Sequence, residues 1–201
     1  MKEIDYEILI PQDYDTVFPE TATIGGISMK KIKRLCSALC VGMILFSSNS
    51  ALNAGSGTNA GETAVKGVKI GIITASVNGA IGKQYQWGAA GPQFFDCSGL
   101  AWYAYHKNAG IDLGTEQCSV NIADYLNGEH CGVPQNALKP LDIIFYDLSS
   151  RNDNLFKGVD HVSIYFGERN KTIVEARPNK GVVTSGNRRE YGNEVFWARV
   201  I

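Results

Sequence analysis

Among the side chains able to do covalent chemistry, Cys97 is set apart by its neighbours. Asp96-Cys97-Ser98-Gly99-Leu100 follows a Gly- and aromatic-rich stretch, 85–95, and opens a segment with helical spacing. Asp96 suits an N-cap and Gly110 lies just past the end of a helix over 96–108. Cys97 then falls in the first turn, where unpaired N–H groups and the helix dipole favour negative charge. A thiolate is the reactive form of cysteine. From Cys97 alone, a buried structural cysteine is the alternative. A nucleophile of this kind needs a base, and the chain has 3 histidines. His106 sits nine residues along the same helix, ~13 Å away, too far to meet Cys97. His130 lies in a loop beside Cys131. His161 opens a strand that alternates His161, Ser163, Tyr165 with Val162, Ile164, Phe166, which places it on the polar face where a cleft could lie. A base also needs a third group to orient it. If Val174 and Ala176 share the core with Val162, Ile164 and Phe166, hairpin register puts Glu175 on the face of His161; a solvated strand carboxylate is the alternative.

The remaining cysteines suggest other roles. Cys118 and Cys131 lie thirteen apart in a loop-rich region and could form a disulfide, worth ~3 kcal/mol in the chain-entropy model; two buried free thiols are the alternative. Cys36 and Cys40 fall in the 29–54 stretch, which has the pattern of a secretion signal, so in the chain beyond it such a pair would leave Cys97 as the odd thiol. Cys118, His130 and Cys131 lack regular metal-ligand spacing, so no metal site is expected. Neither a phosphate-cradling loop nor a dinucleotide fingerprint is present, and no cofactor is expected.

These residues must be carried by a small set of elements. Apolar spacing predicts a helix over 70–81, ending at Gly82, before the 96–108 helix. Strand patterns follow at 141–146, 161–166, 172–176 (after a turn at 168–171), 182–184 and 195–200. Helices first and a strand meander second predict an α+β fold.

The chain has 201 residues, 19 Lys+Arg against 20 Asp+Glu, and 44% hydrophobic residues. That is room for one sizeable core. The absence of a basic excess argues against nucleic-acid binding. No apolar run reaches ~18 residues, so no stable membrane anchor is expected. Charge is uneven at the front: residues 1–28 carry one Lys against six acids, and 29–54 carry four bases and no acid. Met29, the basic block, the apolar run 35–46 and the small residues to Ala54 form a secretory signal pattern, implying an extracytoplasmic protein. The acidic prefix 1–28 fits poorly ahead of a signal, which suggests translation from Met29. Residues 55–68 are expected to be a linker and 69–201 the functional domain.

Four blocks in order resemble the NlpC/P60 cysteine peptidases: Tyr85-Gln86-Trp87-Gly88, the Phe95–Leu100 block around Cys97, the Leu138–Phe145 block, and the Asp160–Gly167 block beginning Asp160-His161. The resemblance spans roughly residues 70–200. It implies a papain-like α+β core and cleavage of peptidoglycan stem peptides, typically between D-glutamate and a diamino acid. It implies Cys97 as nucleophile, His161 as base, and Tyr85 at the oxyanion position beside the Cys97 N–H. Asp96 and Ser98 match positions that in some members line the side by which the peptide enters. Two positions depart from the family pattern: Glu175 stands where His, Asn or Gln is commoner, and Leu141 replaces the usual glycine of a Pro-Gly-Asp segment. The expectation is a monomer acting on stem peptides. Another amidase or acyltransferase on the same scaffold, or a catalytically silent wall-binding protein, would keep the same fold.

Overall fold

The computed structural model describes residues 23–24, 27–28, 58–149, 155–167, 172–185 and 193–201. The signal pattern at 29–54, nearly all of the acidic prefix and the turn at 168–171 lie outside these residues. The chain divides into two compact units at Gly67 and Val68. In the unit that ends at Gly67, β1 (Thr23–Ile24) and β2 (Ile27–Ser28) pair antiparallel. Helix α1 runs Thr58–Ala80, so helix occupies most of the segment expected to be a linker. Glu62, Ala64 and Lys66 are strong helix formers, and this part of the helix is largely exposed, Val65 included. Further along, Ile70, Ile73, Val77 and Ala80 recur on one buried stripe. No helix among the described residues is long and apolar enough to cross a membrane.

In the unit that follows, β3 (Gln84–Tyr85) and β4 (Phe94–Phe95) form a short parallel pair inside the stretch read as loop. Five further strands come later in the chain: β5 (Ile143–Tyr146), β6 (His161–Gly167), β7 (Thr172–Arg177), β8 (Gly181–Ser185) and β9 (Glu194–Ala198). They make one antiparallel sheet in the order β8-β7-β6-β5-β9. All five agree with the expected strand runs to within two residues. Ile164 opposes Val174 and Tyr165 opposes Ile173, so one face carries His161, Ser163, Tyr165, Ile173 and Glu175. That face is not solvated: every residue of β6 is buried. Leu138, Ile144, Tyr146, Tyr165 and Ile173 form a core cluster there, with Val133 and Trp197 packed on it.

The expected 96–108 helix begins as α2 (Cys97–Ala101) and continues as π-helix over Trp102–Asn108. Gly110, with φ of 60°, follows it. Helix α2 packs on β6 and β7. One further helix, α3 (Ser119–Gly128), lies where the sequence suggested irregular chain. It contacts β6, β9 and the short turn at Phe156–Gly158. Its buried residues Ser119, Ile122, Ala123 and Leu126 follow i, i+3, i+4, i+7 spacing, but β-branched and Asn residues in its first turn hide that pattern.

Candidate active site

Cys97 owes its position to a loop folded back on its own helix. The Asp96 N–H donates to the Ala89 carbonyl (2.9 Å), and the Gln86 N–H donates to that of Phe95 (3.0 Å). The Asp96 carboxylate then accepts three bonds: from the Gly99 N–H (2.6 Å), the Ser98 hydroxyl (3.0 Å) and the Gly88 N–H (2.6 Å). One buried side chain thus caps α2 and anchors the preceding loop. Gly99 permits this, because a Cβ there would stand 2.0 Å from the Ala89 carbonyl oxygen. Cys97 occupies the first helical position, where the backbone N–H has no partner within the helix. Its thiol remains partly exposed.

Strand β6 brings His161 to this thiol. Its Nε2 lies 2.7 Å from Glu175 Oε2, which leaves Nδ1 as the nitrogen available to Cys97. Glu175 is fully buried, and Arg177 Nη1 stands 3.8 Å from its other oxygen. The Tyr146 ring lies 5.7 Å from that of His161, centroid to centroid, and its hydroxyl is 2.8 Å from Ser163 Oγ. Burial works against charge on the His161 ring. Hydrogen bonds to Cys97 and Glu175, reinforced by their negative charge, overcome it and push the imidazole up to about 9. The ring is therefore built to hold a proton beside the sulfur at neutral pH.

Tyr85, at the end of β3, faces the same point. Burial pushes its phenol up to about 12, and the negative charge of Cys97 and then of Asp96 adds to the shift. It stays a protonated donor throughout the physiological range. Cys97, His161, Glu175, Tyr85, Asp96 and Ser98 thus converge on one place. Asp96 and Ser98 are both buried, with their polar atoms bonded to each other and to the loop backbone.

The other sulfurs behave differently. Cys118 and Cys131 are free thiols, which corrects the disulfide expectation. Cys118 occupies the N-cap position of α3 without a side-chain capping bond, whereas the Cys131 N–H donates to the Leu126 carbonyl. Eight residues of helix, about 12 Å, separate those levels, well beyond disulfide reach. His106 stacks on Trp102 at 4.0 Å, away from the thiol as its spacing required. Among the described residues, no group of three His, Cys, Asp or Glu side chains could hold a metal ion.

Sequence reading missed the ion pair beneath β5. Asp142, fully buried, accepts from Arg199 at 2.7 and 2.8 Å and from the Lys139 N–H at 2.7 Å. Leu141 beside it has φ of 69°, a left-handed backbone that favours glycine over any residue with a Cβ. It is held by its own N–H on the Tyr165 carbonyl (2.6 Å) and by the Tyr105 hydroxyl on its carbonyl (2.8 Å).

Residues 82–200, more than half of the chain, match the model of the NlpC/P60 family. The chain is 35% identical over 107 residues to the protein named probable endopeptidase p60 of Listeria monocytogenes, covering 53% of this chain and 19% of that one. It is 33% identical over 88 residues to murein DD-endopeptidase MepH of Escherichia coli K12, covering 43% and 29% respectively. The chain therefore spans less than a third of the length of these relatives. Among solved structures, an NLP/P60 family protein of Staphylococcus aureus superposes with a TM-score of 0.50 at 20% identity, covering 91% of this chain and 54% of that one. An NlpC/P60 protein of Bacillus cereus superposes with a TM-score of 0.50 at 18% identity, covering 64% and 39%. Both share the papain-like α+β fold.

Proposed function

The chain belongs to the NlpC/P60 family, and from that premise we propose that it is an extracytoplasmic cysteine endopeptidase hydrolysing peptidoglycan stem peptides, at the bond between D-glutamate and a diamino acid. The observation that carries the reading is His161 held between Cys97 and the buried carboxylate of Glu175, 2.7 Å from Nε2. Relatives named as endopeptidases support the reaction class, and the signal pattern from Met29 supports the compartment.

The chemistry is acyl transfer in two steps. The Cys97 thiolate attacks the amide carbon, forming a C–S bond. His161, protonated at Nδ1, gives its proton to the departing nitrogen as the C–N bond breaks. Water then attacks the thioester, His161 takes its proton, and the C–S bond breaks to release the acid and restore the thiolate–imidazolium pair. Negative charge on the carbonyl oxygen is met by the Cys97 N–H and the Tyr85 hydroxyl; one such donor is worth about 3 kcal/mol in the transition state. Glu175 fixes the ring's tautomer and stabilises its charged form.

The test is digestion of purified stem peptides by the mature protein and by Cys97→Ala, read by mass spectrometry. A cut after D-glutamate that vanishes in Cys97→Ala is expected. No cut on any stem, with Cys97 slow toward iodoacetamide, would overturn the peptidase assignment in favour of wall binding.

A further inference from the structure

Strand β8 is an edge of the sheet, and its free edge is occupied by the segment leading into β3. The Gly82 N–H donates to the Val182 carbonyl (2.9 Å), and the Val182 N–H donates to that of Lys83 (2.8 Å). Gly181 makes the approach possible. It has φ of 74°, and a Cβ there would stand 2.2 Å from the Lys83 oxygen, 3.2 Å from its carbonyl carbon and 3.4 Å from the Gln84 Cα. All three are backbone atoms, so nothing there can swing aside. Tyr85 is two residues beyond Lys83, and opposes Phe95 in β4 just ahead of Cys97. On its other side β8 pairs with β7, Val182 opposite Ala176 and Val183 opposite Glu175. The turn between β7 and β8 also contains Asn179 at φ of 63°.

One short piece of chain thus touches both the strand that supplies Glu175 and the strand that supplies Tyr85. We infer that the Gly181–Val182 segment is a latch that sets the Tyr85 hydroxyl against the Cys97–His161 pair, which makes Gly181 a positioning residue for the oxyanion donor. The inference rests on Tyr85 serving the acyl-transfer reaction proposed above. Its logic is geometric. A side chain at 181 must push residues 83–84 off the sheet edge, and Tyr85 travels with them, while His161, Glu175 and α2 keep their own bonds. A misplacement of about 1 Å in a catalytic donor can cost ~10²-fold in rate.

The experiment compares the full chain with Gly181→Ala, Tyr85→Phe and the double variant. Turnover is measured on stem peptide, Cys97 alkylation by iodoacetamide, and the Tyr85 phenol by 13C NMR of labelled tyrosine at roughly pH 11, a unit above the ordinary phenol value. In the intact chain the ring should be mostly un-ionised there, because its pKa is held at about 12. Gly181→Ala is expected to lower kcat by about ten- to a hundredfold, to let Tyr85 ionise, and to leave the alkylation rate unchanged. The double variant should be no slower than Tyr85→Phe. Losses that multiply, or a Tyr85 resonance that does not move, would overturn the latch. Should Gly181→Ala fail to fold, Asn179→Ala strains the same turn without placing an atom on Lys83. Its smaller loss must likewise vanish in the Tyr85→Phe background, and a loss that persists there refutes the latch. An intact chain that hydrolyses no stem, yet whose Tyr85 responds to Gly181→Ala, would sink the peptidase reading and keep the latch.

Discussion

Replacing Glu175 by Gln keeps the shape of the site and removes one charge. In the native chain the His161 imidazole is raised from 6.5 to about 9, a net preference for the charged ring of about 3 kcal/mol, gained against the cost of burial. Cys97 and Glu175 share that gain. An opposite charge at this range is worth about 1–3 pH units, so Glu175→Gln should bring His161 down by that amount. Because the raised value means the proton is bound below it, the state proposed to be reactive, with His161 protonated beside Cys97, persists to about pH 9 and is lost above. In Glu175→Gln the alkaline limb of kcat/KM should move down by about 1–3 pH units. The same sign governs stability: the charged ring stabilises the fold fully below about pH 6.5 and ceases to as pH rises through about 9. Stem-peptide hydrolysis across roughly pH 5–10, paired with urea unfolding at the same pH values, reads both. A variant whose activity drops uniformly, with its alkaline limb unmoved, would show that Glu175 orients His161 without stabilising its charge.

Three other perturbations address the scaffold. Asp96→Ala removes a cap and the anchor of Gly88 together, and should cost about 1–3 kcal/mol in denaturant unfolding; an unchanged midpoint would deny the carboxylate its holding role. Arg199→Met leaves Asp142 buried without its cation, which should cost about 3–5 kcal/mol and be partly recovered by adding Asp142→Asn. At Leu141, Gly should be more stable than Ala by about 1 kcal/mol because the position is left-handed, inverting their usual order; melting curves of the two variants decide.

Most of the sheet was legible because its signal is local. Strand 161–166 alternates, and a period of two fixes which side chains share a face; with Val174 and Ala176 assigned to the core, hairpin register was enough to suggest Glu175 beside His161. Cys97 was legible for a similar reason, since Asp96 and Gly110 mark both ends of its helix. What escaped depends on contacts distant in sequence. Helix α3 begins with poor helix formers and is justified by burying Ile122, Ala123 and Leu126. Arg199 meets Asp142 across 57 residues, and no pattern announces it. The disulfide expectation failed because separation in sequence was read without the helix that fills it.

Polar residues on one face of β6 suggested solvent, whereas that face is as buried as the other. A polar face can be buried when its members satisfy one another: Ser163 with Tyr146, and His161 with Glu175 and Cys97. Burial is what gives the arrangement its chemical force. A carboxylate 2.7 Å from an imidazole would shift it only modestly in water, because solvent screens the pair and competes for both partners. With Glu175 fully enclosed, the carboxylate keeps its bond to the ring, and His161 holds its proton despite the burial penalty. Tyr146, its ring 5.7 Å from that of His161, is itself fully buried, and under the proposed mechanism the enclosure it adds would act on Cys97 through the imidazole.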